Sequence, residues 1–157
     1  MGAASIHGAS FEGKWNLTPH LTVSSDLTFT RTDFIEGFGP LPSILPFYGA
    51  NMLQYNKDKL SIRIRNRFSS AKNPEDYSLG GEDGLDETPV ELNSEGFPQF
   101  IGTPSWSIFN LSWSYAWTEQ LVIRAGLENV FDVHYREFAS GISASGRSLM
   151  FGASLDF

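Results

Sequence analysis

The sequence predicts an all-β fold, in which about seven antiparallel strands form a segment of a transmembrane β-barrel. Three observations support this fold class. Apolar and polar residues alternate with period two in nearly every ordered stretch. Short turns alternate strictly with long loops, which places all the short turns on one edge of the sheet and all the long loops on the other. Large aromatic residues lie close to the short turns, as in the aromatic girdle of a membrane interface, and these are Trp15, Tyr55, Trp113, Tyr115 and Trp117.

Composition narrows the classes of protein that the chain can be. The 157 residues carry a formal net charge of -7 and have an isoelectric point near 4.8, so they offer no basic face for nucleic acid. Cysteine is absent, which excludes disulfides and thiolate metal sites. No stretch approaches the roughly 18 consecutive apolar residues of a membrane helix, and residues 1–10 lack the basic and apolar regions of a signal peptide.

The first strands are predicted from alternation on either side of short turns. Residues 5–18 place Phe11, Trp15 and Leu17 on one face and Glu12, Lys14 and Asn16 on the other. The sequence TPH then forms a tight turn into residues 21–32, so that the two strands make a hairpin. A loop rich in Gly and Pro follows at 34–46. Alternation in the third strand, 47–55, is too poor to orient its faces.

Arginine marks the polar face of the fourth strand. Leu60, Ile62 and Ile64 alternate with Arg63, Arg65 and Arg67 across this strand. Unpaired charges are very costly in a dry core, so we expect these arginines to face a wet lumen. Arg124 likewise lies on the polar face of the sixth strand. The lumen-facing candidates are therefore Arg63, Arg65, Arg67 and Arg124.

The last three strands are predicted at 106–117, 121–128 and from Leu149 to Phe157. The stretch between the fourth and fifth strands, 71–104, is acidic and has almost no periodicity, which predicts a long loop. Its carboxylates are candidate ligands for a hard cation such as Ca²⁺, although a solvated acidic loop is the commoner case: Glu75, Asp76, Glu82, Asp83, Asp86 and Glu87. We expect residues 75–95 to contribute to an external surface that gathers ligand.

Catalytic chemistry is not indicated. His7, His20 and His134 lie on different elements without metal-ligand spacing, and no nucleophile motif, phosphate loop or carboxylate pair is singled out. We therefore predict neither an enzyme nor a cofactor. A soluble β-sandwich remains an alternative for any single strand, because soluble sheets show the same alternation.

The end of the chain resembles that of TonB-dependent outer-membrane receptors. The segment LENVFDVHY, followed by a loop and by SGRSLMFGASLDF, is similar to the closing motif and last barrel strand of this family. Val130 stands where Leu is commoner. The matching residues are Leu127, Asn129, Val130, Phe131, Asp132, Tyr135, Gly146, Arg147 and Phe157. The Pro-rich sequence GPLPSILPFYGANMLQYN also resembles a loop of the family that descends into a strand ending in Tyr.

The resemblance implies a receptor for active uptake of a scarce nutrient complex, such as a ferric siderophore, cobalamin, a metal or a glycan, energised through TonB. Such receptors have about 22 strands around a plug, so residues 1–157 correspond to a C-terminal part of the barrel without plug or signal peptide. The implied partners are outer-membrane lipid, the barrel-assembly machinery, a small-molecule ligand, and TonB through the missing N-terminal region.

The resemblance also implies a periplasmic C-terminus and an assembly signal in the last strand. This signal consists of alternate apolar residues, namely Leu149, Phe151, Ala153, Leu155 and Phe157. In the family, inward arginines contact the plug or line the route of an anionic ligand, and a generally polar wall explains them equally well. The alternative function is a small outer-membrane pore or adhesin.

Overall fold

The computed structural model describes residues 5–33 and 39–156. The regular secondary structure of the described residues is β-strand, apart from two 3-10 turns at Pro74–Asp76 and Leu85–Glu87. Neither turn is long and apolar enough to cross a membrane as a helix, and the described residues contain no other helix. The strands are β1 (Ile6–Thr18), β2 (Leu21–Thr32), β3 (Phe47–Lys57), β4 (Leu60–Ser69), β5 (Val90–Leu92), β6 (Pro98–Phe100), β7 (Trp106–Ala116), β8 (Leu121–Glu128) and β9 (Ser148–Leu155).

Seven of these strands form one antiparallel sheet in the order β1-β2-β3-β4-β7-β8-β9. Each strand therefore pairs with its neighbour in the chain, apart from the small β5–β6 hairpin inserted between β4 and β7. The short turns lie on one edge of the sheet, and the described parts of the long connections, which are β2–β3, β4–β7 and β8–β9, lie on the other. This arrangement confirms the predicted fold class and its asymmetric loops.

The register lines up the two faces of the sheet across all seven strands. One row of directly opposed residues is apolar from end to end, and a neighbouring row on the other face is mostly polar. The apolar row is Trp15, Val23, Leu53, Ile64, Leu111, Leu127 and Leu149. The polar row is Asn16, Thr22, Gln54, Arg63, Ser112, Gly126 and Met150.

Within residues 5–33 and 39–156, no second layer packs on either face of the sheet. Ala50, Tyr77 and Ile108 are the only buried apolar side chains in the described part of the chain, whereas Phe151 and Leu149 are 77% and 62% exposed. A soluble sandwich buries one face of each sheet as its core. A single layer with one aromatic face and one polar face is instead typical of the wall of a transmembrane barrel.

Register also orients β3, which its own sequence leaves undecided. Leu53 and Tyr55 pair with Val23 and Leu21 of β2, which puts them on the apolar face. Asn51 falls on the same face and would be costly there without partners. It accepts a hydrogen bond from Ser25 Oγ over 2.8 Å and donates through Nδ2 to Asn66 Oδ1 over 3.4 Å, while Asn66 Nδ2 donates to Ser107 Oγ over 2.8 Å. A hydrogen-bonded polar row thus crosses the apolar face from β2 to β7.

Candidate functional site

The four predicted arginines share the polar face of the sheet. Arg63, Arg65 and Arg67 follow one another at every second residue of β4, and Arg124 lies opposite Ser114 on the same face of β8. Within residues 5–33 and 39–156, Arg63 and Arg65 form no ion pair. Two guanidinium groups therefore remain available on this face, where they suit an anionic group brought into the lumen.

Small side chains leave room between Arg63 and Arg124, the two arginines closer to the edge with the short turns. A cavity of about 470 Å³ is lined on this face by Arg63 and Arg124 with Ser61, Ser112 and Gly152. Arg124 is held in place because its Nη1 donates to Ser154 Oγ over 2.8 Å. The cavity is open to the polar face. Its guanidinium groups can only donate hydrogen bonds and each hydroxyl can donate one, so they can bind an anionic occupant.

A second cavity lies on the same face, next to the edge with the long connections. It has a volume of about 270 Å³ and is lined by Arg65, Arg67, Tyr48 and Trp106 among others. Arg67 Nη2 donates to Glu137 Oε1 over 2.9 Å, and its guanidinium lies 5.6 Å from the centre of the Trp106 ring. Arg67 thereby connects the barrel wall to the connection between β8 and β9.

The long connections are packed together around a buried ion pair. Lys72 Nζ donates to Asp83 Oδ2 over 2.8 Å, and both side chains are only 1% exposed. The ammonium group also lies 4.9 Å from the ring centre of Tyr77 and 4.3 Å from that of Phe138. Asp83 Oδ1 accepts the backbone N–H of Ser43 over 2.5 Å. The cluster therefore joins three connections, β2–β3, β4–β7 and β8–β9, and we call it the loop core.

Tyr77 adds a second polar contact to the loop core. Its hydroxyl lies 2.6 Å from Thr103 Oγ1, so the phenol is both buried and hydrogen-bonded. Burial raises the pKa of Tyr77 above its ordinary value, and the nearby charge of Asp83 raises it further, against the effect of the Thr103 bonds. The phenol therefore stays neutral and packed at physiological pH.

The acidic stretch differs from the featureless loop that its sequence predicts. It contains the β5–β6 hairpin and both 3-10 turns, and Asp83 points inward to Lys72 rather than to solvent. Within the described residues, no three His, Asp or Glu side chains converge as metal ligands. The sequence analysis did not select Lys72. Its position was the available signal, because no other Lys or Arg occurs between Lys72 and Arg124 in this acidic stretch.

The residues of the closing motif come together where β8 ends and β9 begins, on the edge with the long connections. Asn129 is 3% exposed, and its Oδ1 accepts the N–H of Val133 over 2.9 Å while its Nδ2 donates to the carbonyls of Val133 and Ser145. Asp132 Oδ1 accepts the N–H of Arg147 over 2.7 Å. At Gly146, an added Cβ would lie only 2.8 Å from that same oxygen, so a larger residue would have to displace the Asp132 carboxylate. We call these contacts the clasp.

The two aromatic residues of the motif point to different faces. Phe131 is 67% exposed and packs edge to face on Phe109 of the apolar face, with ring centres 5.7 Å apart. Tyr135 packs on Trp106 at the polar face, with ring centres 4.6 Å apart. Burial raises the pKa of the Tyr135 phenol above its ordinary value. The motif thus stabilises the β8–β9 connection where it joins the sheet, and its described residues form no catalytic arrangement.

The proposed assembly signal lies on the apolar face of β9. Leu149, Phe151, Ala153 and Leu155 are paired with Leu127, Ala125, Ile123 and Leu121 of β8, respectively. All four are exposed, as an outward strand face requires. Phe157, the fifth residue of the signal, lies outside the described residues.

The histidines do not form a site. His7 Nε2 lies 3.3 Å from Asp33 Oδ2 at the exposed upper end of β1 and β2. His20 contacts the ring of Tyr55 at a short turn, and His134 lines a small cavity near Tyr135. The three residues occupy different parts of the sheet and its loops, as their sequence positions indicate.

Comparison with solved structures identifies the fold. The copper transporter OprC superimposes with a TM-score of 0.75 at 19% identity, over 98% of this chain and 24% of that one. The ferric yersiniabactin uptake receptor FyuA from Yersinia pestis gives 0.69 at 16% identity, over 99% and 24%. The ferric-catecholate import receptor Fiu from E. coli K12 gives 0.67 at 16% identity, over 97% and 21%. This is the fold of a TonB-dependent receptor barrel.

Of the comparisons with known proteins, only the one with solved structures finds this fold. No protein-family model and no curated protein sequence matches the chain. The chain spans 20–24% of the length of the receptors it resembles, including the ferripyoverdine receptor FpvA of Pseudomonas aeruginosa. The seven-stranded sheet therefore corresponds to a segment of the TonB-dependent receptor barrel. The matched structures named here are a copper transporter and receptors for ferric complexes.

Proposed function

We propose that the chain is the C-terminal barrel portion of an outer-membrane receptor that takes up a scarce nutrient complex with energy delivered through TonB. One observation carries the proposal: a single-layer sheet has an aromatic outer face, an arginine-bearing inner face, and all its long loops packed at one edge. This arrangement suits a barrel wall between lipid and a wet lumen. Recognition then occurs at the loop edge, and the closing strand β9 ends in the periplasm.

The cargo is proposed to be a metal ion or a metal chelate. Proteins of the same fold are a copper transporter and receptors for ferric catecholate, ferric yersiniabactin and ferripyoverdine. Arg63 and Arg65 are free of ion pairs within the described residues and would attract an anionic chelate, or an acidic segment of the plug, at the inner face. Both occupants are consistent with the same electrostatics.

Uptake in the source bacterium tests the proposed function. A strain lacking the gene should lose accumulation of one radiolabelled metal or metal chelate, and a strain lacking TonB should lose it equally. Dissipating the proton gradient should have the same effect, because energy reaches the receptor from the inner membrane.

Accumulation that depends on the gene but persists without TonB would contradict the proposal. That result would favour the passive pore. A strain lacking the gene that accumulates every tested metal and chelate normally would also count against uptake and would leave adhesion as the favoured role.

A further inference from the structure

A small cavity lies between the β4–β7 and β8–β9 connections. Its volume is about 100 Å³, and it is more enclosed than either cavity on the polar face. A drug-sized ligand needs at least about 300 Å³, whereas one water needs only about 10–15 Å³. The cavity therefore suits a single small polar group. Its lining includes Thr88, Ser105 and Trp106 from the first connection and the start of β7, and His134, Tyr135 and Arg136 from the second.

The indole N–H of Trp106 lacks a hydrogen-bond partner. Its Nε1 atom is buried, and no acceptor within residues 5–33 and 39–156 bonds to it. Buried polar groups in folded proteins nearly always have a partner. The indole ring is also held in place, because it packs on Tyr135 with ring centres 4.6 Å apart and lies 5.6 Å from the guanidinium carbon of Arg67. Since an indole N–H can only donate, the partner that it lacks is an acceptor.

Arg136 brings a positive charge to the same cavity. Its Nη1 donates to the backbone carbonyl of Glu87. Among the described residues, no carboxylate lies within ion-pair distance of its guanidinium group. The remaining N–H groups of Arg136 can therefore bind an added carboxylate, because a guanidinium and a carboxylate form two parallel, charge-assisted hydrogen bonds.

The charges around Arg136 favour an occupant with a single negative charge. No Asp or Glu lines the cavity, although the chain has a formal net charge of -7. Glu87 and Glu137 line a neighbouring cavity that Arg136 also lines. Both carboxylates are beyond ion-pair distance of Arg136, yet they offset part of its charge. They would repel a multiply charged oxyanion such as phosphate more strongly than a single carboxylate.

We propose that this cavity binds one carboxylate group of a small molecule. The carboxylate oxygens accept hydrogen bonds from the available N–H groups of Arg136 and provide the acceptor that Trp106 Nε1 lacks. The bound group then joins the β4–β7 and β8–β9 connections at a second place besides the loop core. Arg63 and Arg65, which are proposed to attract the cargo, do not line this cavity. The proposal therefore goes beyond nutrient uptake and does not depend on it.

The indole signal of Trp106 in an NMR spectrum tests the proposal. The full chain, labelled with ¹⁵N-tryptophan and held in zwitterionic lipid nanodiscs, contains four Trp residues, and W106F identifies the signal of Trp106. Acetate, gluconate and phosphate are titrated as sodium salts at an ionic strength kept constant with sodium chloride. Acetate should shift the Trp106 indole proton downfield until the shift saturates, because its N–H gains an acceptor. Saturation by acetate assigns a free small carboxylate, and saturation by gluconate alone assigns the carboxylate of a larger molecule.

Arg147 offers a matched control for Arg136. It is exposed, lies in the same connection and does not line the cavity. R136Q should weaken carboxylate binding about tenfold, because the charge-assisted hydrogen bonds are lost, whereas R147Q should bind like the parent chain. R136K keeps the charge without the two parallel bonds, so its affinity should lie between those of R136Q and the parent. The other three indole signals report whether each variant is folded, and R136K decides if R136Q is not.

Three results would overturn the proposal. The first is a Trp106 signal that responds to neither acetate nor gluconate, which would leave water as the acceptor. The second is an equal response to sodium chloride alone, or tighter binding of phosphate than of acetate and gluconate, because either contradicts selection of a carboxylate. The third is equal affinity of the folded Arg136 variants and R147Q. Because transport is not measured, failure of this test is separable from failure of the uptake function.

Discussion

Lys72 and Asp83 form the one buried ion pair in the described part of the chain. Burying two charges costs several kcal/mol each in desolvation, so such a pair adds little net stability over an apolar pair. Its consequence is specificity, because the two charges are satisfied only when the three connections meet in this arrangement. Any other arrangement leaves a buried charge without its partner.

Replacing one partner should therefore loosen the loop core far more than replacing both. We expect D83N to reduce the free energy of opening of this cluster by about 3–5 kcal/mol, because it leaves Lys72 buried and unpaired. The double variant K72M/D83L should lose much less. Hydrogen exchange of the Lys72 and Thr103 amides measures the opening, because these amides bond across the base of the β4–β7 connection.

The exposed Arg67–Glu137 pair supplies the matched control. Its side chains are 38% and 48% exposed, so E137Q should change stability by less than about 1 kcal/mol. If D83N and E137Q accelerated exchange of these amides equally, burial of the ion pair would have no special role in the loop core.

The stability of the loop core should depend on pH in the alkaline range because of Tyr77. Burial raises the pKa of Tyr77 above the ordinary value of 10.0. A raised pKa in the folded state gives a contribution to stability that is complete below the ordinary pKa and is lost as the pH rises through the folded value. The absorbance difference at 295 nm between the parent chain and Y77F should therefore show a phenol that ionises above pH 10.0. Ionisation at or below the ordinary value would show that the phenol is solvated.

At the scale of elements, the clasp explains what the closing motif does. Asn129 and Asp132 both adopt positive φ angles, 47° and 55°, as the chain leaves β8. Their side chains bond the backbone on both sides of the connection that leads to β9. A strand register shifts easily unless something fixes it, and the Asp132–Arg147 bond lies immediately before β9.

Removing this bond should weaken the register of β9 on β8. The chain has no cysteine, so the engineered pair A125C/F151C, at directly opposed positions, reports the native register by disulfide formation. We expect D132A to reduce formation of this disulfide and to increase formation at A125C/A153C, which requires a shift of two residues. D156A, at the other end of β9, is the control. Unchanged cross-linking in D132A would show that strand pairing alone fixes the register.

The sequence predicted the sheet closely because period-two alternation is a local signal. β7 and β8 begin at the predicted residues, Trp106 and Leu121. The faces of β3 could not be predicted because Asn51 interrupts the apolar alternation, and only its bonds to Ser25 and Asn66 make that position acceptable. The β5–β6 hairpin was missed because its strands are three residues each, too short for a periodicity.

The isolation of Lys72 in the sequence indicated a special residue, but its partners in the loop core could not be derived from the sequence. Lys72 and Asp83 are eleven residues apart in a stretch without periodicity, and Phe138 comes from another connection. Such contacts depend on which loops the sheet brings to one edge. The arginines on the polar face were predictable, because β4 is regular and its period places Arg63, Arg65 and Arg67 together.

At the scale of the whole molecule, the two faces of the sheet determine its role. The described residues bury only three apolar side chains, so the sheet depends on its surroundings to cover the aromatic face. In a bilayer that face removes its apolar surface from water while the arginine face stays wet. An isolated sheet in water would expose both, and the strands at its edges would invite aggregation.

The barrel-wall assignment is tested most directly by identifying which solvent, lipid or water, contacts each face of β7, a strand that pairs with neighbours on both sides. Single nitroxide labels at positions 110–114, in the protein reconstituted in phospholipid bilayers, can be probed with oxygen and with a water-soluble nickel chelate. We expect strict alternation: labels at Leu111 and Trp113 collide with oxygen in lipid, and labels at Asn110, Ser112 and Ser114 collide with the chelate. Equal access of the chelate to all five positions, or the reverse alternation, would contradict the barrel-wall assignment.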